Sequence, residues 1–365
     1  MPALDTVEWE ACLLEPVRNP EAERTLRKAL GIVPPGMRYF LDSPWLTDAA
    51  VALDLMHTPL LHVSPNLAEM VALVVSQDSA CRYCFNMTRG VMGILGFPEA
   101  RIRRIEEDLL GAETDPGERA ALQFARRVAR STPMVTAAEA APLRQLGWSD
   151  AAVKELAAIA AVNIFFNRAS TLPALPYDDA ERVFKRPAMR FFGRFLRPFL
   201  RMPRSKRPHP LPDAARQGPF APFVNALDGL PVAPRLRTAI DACLRGSSLG
   251  PRATALVFAV VARGIGCPLS EQEACQMLLA DGMPAEDIEP ALVHLDAPSL
   301  GPRERAAAAL ARDSIWPQPA ALQRHARSVR PLFTHQEFVD LIGAAALANT
   351  FCRLAVAVDL ARAGR

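Results

Sequence analysis

Apolar residues recur along this chain at steps of three and four, and the pattern of alternate positions that marks a strand is missing. Leu67, Val71, Val74 and Val75 follow Ser64-Pro65 in that rhythm, which predicts an amphipathic helix with a serine cap and a proline in its first turn. A polar break at Gln77-Asp78-Ser79 offers caps for a following helix that carries Cys81 and Cys84 and stops near Gly96. Pro98 then starts a helix over Glu99–Leu110, and Asp115–Arg130 and Asp150–Arg168 supply two more. The expected class is all-α. The longest apolar runs, Leu156–Phe166 and Leu341–Phe351, are shorter than a bilayer crossing and are interrupted by Asn163 and Asn349. They read as buried core helices.

The pattern also repeats. A shift of 186 (267 minus 81) places Cys81 on Cys267 without a gap. It also pairs Gly96 with Gly282, Pro98 with Pro284, Val153 with Val339, Asn163 with Asn349 and Phe165 with Phe351. The run Glu118-Arg119-Ala120-Ala121 falls on Glu304-Arg305-Ala306-Ala307. Scattered alanine matches arise by chance in an alanine-rich chain, but one register held across Cys, Pro, Asn and a four-residue run does not. Two tandem helical domains are therefore expected, at 1–185 and 215–365, with a basic, proline-rich linker over 186–214. Arg190, Arg194, Arg197 and Arg201 recur there at helical spacing beside Phe192, Phe195, Leu196 and Phe199. That pattern fits a weak membrane-surface contact through 186–207, or a linker whose phenylalanines pack while its arginines stay solvated.

Composition narrows the function. Half of the 365 residues are apolar and the net charge is only +3, so nucleic acid is not an expected partner. The start, Met1–Asp5, has neither a basic flank nor an apolar run, so no secretory leader is expected. Seven cysteines, an odd and irregularly spaced set, do not suggest a disulfide framework, and a cytoplasmic location is expected. Only Cys81 and Cys84 form a Cys-x-x-Cys pair, too few ligands for structural zinc. No cofactor is expected beyond a redox-active Cys81–Cys84 disulfide.

On a helix beginning near Ser79, Cys81 would sit in the first turn and Cys84 one turn on, where unpaired N–H groups and the positive helix end favour thiolate. Arg82 adds a cation. A thiolate there can attack a peroxide oxygen or a disulfide sulfur, and its neighbour can resolve the product. Glu69, on the preceding helix, could move the proton. The alternative is an inert pair of buried thiols, a common fate of free cysteine.

Glu69, eleven residues, Cys81-x-x-Cys84 and three more residues to position 88 resemble the motif of the AhpD-like, or carboxymuconolactone decarboxylase, superfamily. The turn Gly96-Phe97-Pro98, the segment Gly31–Pro34 and the run Asn163–Arg168 are also similar to that family. The resemblance implies a thiol peroxidase in which Cys84 attacks, Cys81 resolves, and Glu69 works in a water-assisted relay with a histidine. An electron donor with one or two thiols and association into homo-oligomers are implied as well. Here the histidine position holds Thr88, which can hydrogen-bond but cannot act as a base near neutral pH. His62 and His57 are the candidate substitutes. In the second copy the matching positions are Ala255, Cys267, Ser270 and Ala274, which leaves Cys267 alone and that copy without a catalytic set. A non-catalytic interaction protein, perched on a membrane through the linker, is the other reading of the whole chain.

Overall fold

The structure, a computed structural model, describes residues 4–107, 115–177, 195 and 202–360. Within them lie sixteen α-helices and no strand, so the protein is all-α. Most of the basic linker pattern, including Arg190, Arg194, Arg197 and Arg201, lies outside the described residues.

The first half is built from α1 (Pro20–Leu30), α2 (Pro44–Leu53), α3 (Pro65–Asp78), α4 (Arg82–Leu95), α5 (Glu99–Glu107), α6 (Pro116–Ala129), α7 (Ala141–Gln145) and α8 (Asp150–Thr171). Their starts follow the capping rules. The side chains of Asn19, Ser43, Ser64, Asp115 and Ser149 each accept a first-turn N–H ahead of their helix. Gly31 and Gly96 close α1 and α4 in the left-handed conformation that glycine adopts without strain. The second half continues with α9 (Ala221–Asn225), α10 (Val232–Gly246), α11 (Pro251–Ile265), α12 (Pro268–Ala280), α13 (Ala285–Val293), α14 (Pro302–Asp313), α15 (Pro319–Val329) and α16 (His335–Ala357).

The 186-residue register of the sequence reappears in these bounds. Adding it to α5 gives 285–293, the span of α13, and adding it to α3 gives 251–264, against 251–265 for α11. Packing follows the same scheme. Helix α3 lies against α4, α6 and α8, as α11 lies against α12, α14 and α16. A buried carboxylate near the start of each long helix follows the register to within one position, Glu155 and Asp340 being 185 residues apart (340 minus 155). Glu155 of α8 accepts the backbone N–H of Leu61, His62 and Val63 at 2.6–2.7 Å, while Asp340 of α16 accepts those of Ser248 and its hydroxyl at 2.6–2.7 Å. His62 and Ser248 are 186 positions apart.

The halves bury one continuous core, with α8 against α16 and α2 against α10. Several polar bonds join them, and Arg353 makes the most extensive set. Fully buried, it donates to the carbonyls of Val128, Ala129 and Arg130, to Ser131 Oγ and to Ile315 O, at 2.7–3.3 Å. Arg168 and Ser131 donate to the same Ile315 carbonyl. Helix α16 is long and apolar enough to cross a membrane, yet 94% of its apolar window is buried within the protein. It is a core helix, in line with the reading of Leu341–Phe351.

Candidate functional site

The polar break before the cysteines is not a break. Helix α3 runs through Gln77 and Asp78, because both find partners on neighbouring elements. Gln77 Nε2 donates to Glu106 O at 2.8 Å, and the buried Asp78 carboxylate pairs with Arg126 at 2.6 Å and Arg130 at 3.1 Å. The chain then turns at Ala80, which is in the left-handed region (φ 51°), and α4 begins with Cys81 itself as its cap. Cys81 Sγ accepts the N–H of Cys84 at 3.3 Å. A sulfur occupies the place that Ser or Asp usually fills, at the end of the helix where negative charge is favoured.

The two sulfurs differ. Burial pushes the Cys81 thiol up, but its interactions with Cys84 and the charge of Arg168 outweigh it and bring the thiol below its ordinary value. Burial pushes Cys84 well up, and the hydrogen bond with Cys81 and its charge add to that, with Ser170 and the backbone at Cys84 pulling the other way. Of the two sulfurs, Cys81 is therefore the one favoured to lose its proton first. Residue exposure ranks them oppositely, Cys81 at 0% and Cys84 at 9%.

The cation beside the pair is not Arg82. Its guanidinium stacks on the Tyr177 ring, 3.7 Å from the centroid, and donates to Val7 O. Arg168, in the last turn of α8, takes that part, so the run Asn163–Arg168 supplies charge to the sulfurs as well as packing. Its Nη2 donates to Ile315 O at 3.0 Å, while Nε and Nη1 are buried without a hydrogen-bond partner. Asn163 turns back on its own helix, Nδ2 donating to Ile159 O at 2.9 Å.

Glu69 is 5% exposed and makes no hydrogen bond among the described residues. Burial pushes its carboxyl up to about 8, helped by the charge of Asp54, so it carries a proton at neutral pH. Asp54 in turn holds His57 Nδ1 at 2.5 Å, which raises the histidine. Of the two histidines that could stand in for the absent one, His57 is thus tied to the surroundings of Glu69, whereas His62 is fixed through its backbone by Glu155. Thr88 is half-buried one turn after Cys84 on α4. No hydrogen bond joins Glu69 or Thr88 to either sulfur.

The second half differs from its sequence reading. Cys267 stands at the N-cap position of α12 as Cys81 does at α4, although its sulfur accepts no first-turn N–H as a cap, and it is not alone. Cys352 of α16 interacts with it, and Ser270 Oγ, at the position matching Cys84, is 3.4 Å from its sulfur. Sequence spacing could not reveal this pair, since its members are 85 residues apart (352 minus 267) and Cys352 aligns with Phe166. All seven cysteines are free thiols. Among the described residues no group of three or more His, Cys, Asp and Glu side chains is arranged to hold a metal ion. The chain matches no protein-family model, no curated protein and no solved structure.

Proposed function

We propose that the protein is a thiol–disulfide oxidoreductase that cycles Cys81 and Cys84 between dithiol and disulfide, with hydroperoxides as the favoured oxidant. The observation that carries this reading is the Cys81 sulfur at the α4 N-terminus, accepting the Cys84 N–H at 3.3 Å. That hydrogen bond and the charge of Arg168 bring its thiol below the ordinary value. A thiolate attacks the peroxide, the O–O bond breaks, and the sulfur becomes sulfenic acid while the departing alkoxide takes a proton. The second thiol then attacks that sulfur, forms the S–S bond and releases water. A dithiol donor returns the two electrons.

The proposal departs from the family resemblance in one respect. The resemblance gives the attack to Cys84, whereas the electrostatics of this chain favour Cys81 as the first of the two to lose its proton. Glu69, protonated up to about 8, is assigned as proton donor to the leaving oxygen through water, with His57 and Asp54 behind it. Thr88 is left a hydrogen-bonding role. The 186-residue register shared by the helix bounds, with carboxylate anchors within one position of it, supports a tandem duplication of an AhpD-like domain.

The burial of both sulfurs favours a second reading, a non-catalytic interaction protein with inert core thiols. Hydroperoxide consumption with dithiothreitol as donor separates the two. The oxidoreductase loses consumption in both Cys81→Ser and Cys84→Ser. Unchanged consumption in either variant removes it.

A further inference from the structure

The second half holds chemistry that lies outside the Cys81–Cys84 cycle. Cys267 and Cys352 are brought together by the packing of α12 on α16, and Ser270 Oγ lies 3.4 Å from the Cys267 sulfur. Cys267 also forms part of the wall of a cavity of about 600 Å³. That cavity lies between the halves, with Thr136 and Arg144 on one side and Cys267, Ala355, Val356 and Asp359 on the other. A thiol at a helix N-terminus, on the wall of a void large enough for a small molecule and with a second thiol brought to it by a neighbouring helix, is placed for exchange rather than for packing alone.

We propose that Cys267 and Cys352 form a second redox dithiol, independent of Cys81 and Cys84, that exchanges with small organic disulfides entering through this cavity. Cys267 is the attacking sulfur. Interaction with Cys352 lowers its thiol to about 7 against the opposing effect of burial, with Ser270 and the N–H groups of Leu269 and Ser270 assisting. Cys352, pushed well up by burial, stays a thiol until it is needed. In the first step the Cys267 thiolate forms a bond to one sulfur of R–S–S–R and the original S–S bond breaks, releasing RS⁻. In the second, Cys352 gives up its proton and attacks the Cys267 sulfur, forming the protein disulfide and expelling the second RS⁻. The protein is oxidised by two electrons, the organic disulfide is reduced by two, and the two thiol protons leave on two RSH.

The test uses the full chain, wild type and Cys81→Ser/Cys84→Ser, treated under native conditions with 2-hydroxyethyl disulfide, alkylated and mapped by mass spectrometry. Both chains are expected to yield a Cys267–Cys352 linked peptide, with loss of those two free thiols and full reversal by dithiothreitol. Adding Cys352→Ser replaces the link with a hydroxyethylthio adduct on Cys267. Thr136→Trp, at the cavity wall, slows linkage several-fold. Absence of the link in the wild-type chain, or an adduct on Cys267 that persists while Cys352 is present, overturns the dithiol. An unchanged rate in Thr136→Trp overturns the cavity as its route. Because the Cys81→Ser/Cys84→Ser chain is read separately, failure here and failure of the peroxide cycle are distinguishable.

Discussion

The two halves of the molecule present two thiol pairs assembled by different means. In the first half both sulfurs lie on one helix three residues apart, and a buried arginine from α8 supplies the positive charge. In the second half one sulfur stands at the N-cap position of the equivalent helix and its partner comes from α16, with serine at the position where the first half has its second cysteine. The first pair is visible as a motif, the second only as a contact. The comparison shows that a helix N-terminus without a second cysteine of its own can still meet a thiol brought by the neighbouring helix.

The arginines sharpen the contrast most. Arg353 satisfies five acceptors drawn from both halves, while Arg168 has one hydrogen bond and a charge turned to Cys81. Arg353→Met is therefore expected to lower unfolding stability by about 3–5 kcal/mol in urea melts, since it leaves buried acceptors unpaired. A loss no larger than that of Arg168→Met breaks the assignment of Arg353 as the most extensive link between the halves.

Glu69 comes next, because its counterpart Ala255 makes the second half insensitive to this titration. Its folded value of about 8 lies above that of an unfolded glutamate, so the folded chain holds the proton more tightly. The stabilising effect is complete below about pH 4.5 and is lost as pH rises to about 8, at roughly 1.4 kcal/mol per unit at the steepest. Urea melts at pH 5 and pH 8 should show this loss in the wild type and not in Glu69→Gln. Equal slopes in the two chains would mean that the carboxyl is ionised throughout. The smallest effect is that of Arg168→Met, about 1–2 kcal/mol of stability, with the alkylation profile of Cys81 moving to higher pH. An unmoved profile removes Arg168 from the thiolate's support.

Much of the fold could be read in the chain because its signals are local. Ser64-Pro65, Asp115-Pro116 and Gly96 mark helix ends through their own side chains or backbone freedom, and they hold where the sequence puts them. Gln77 and Asp78 read as a break because their partners, Glu106, Arg126 and Arg130, lie on other helices. The site divides in the same way. Cys81 and Cys84 are three apart and legible, while Arg168 and Ser170 reach them only because α8 packs on α4. Arg82 was the expected cation from adjacency alone, and Tyr177 draws it away. Cys352 had no signal at all, since the repeat aligns it with a phenylalanine.

Cys81 and Cys84 are proposed as a working redox couple despite their burial. Native full-length protein equilibrated in graded mixtures of reduced and oxidised dithiothreitol, acid-quenched and mapped by mass spectrometry, tests this directly. The account predicts a Cys81–Cys84 bridge whose fraction rises and falls reversibly with the buffer ratio. Two thiols that stay reduced at every ratio in the folded chain, and oxidise only after denaturation, would contradict it.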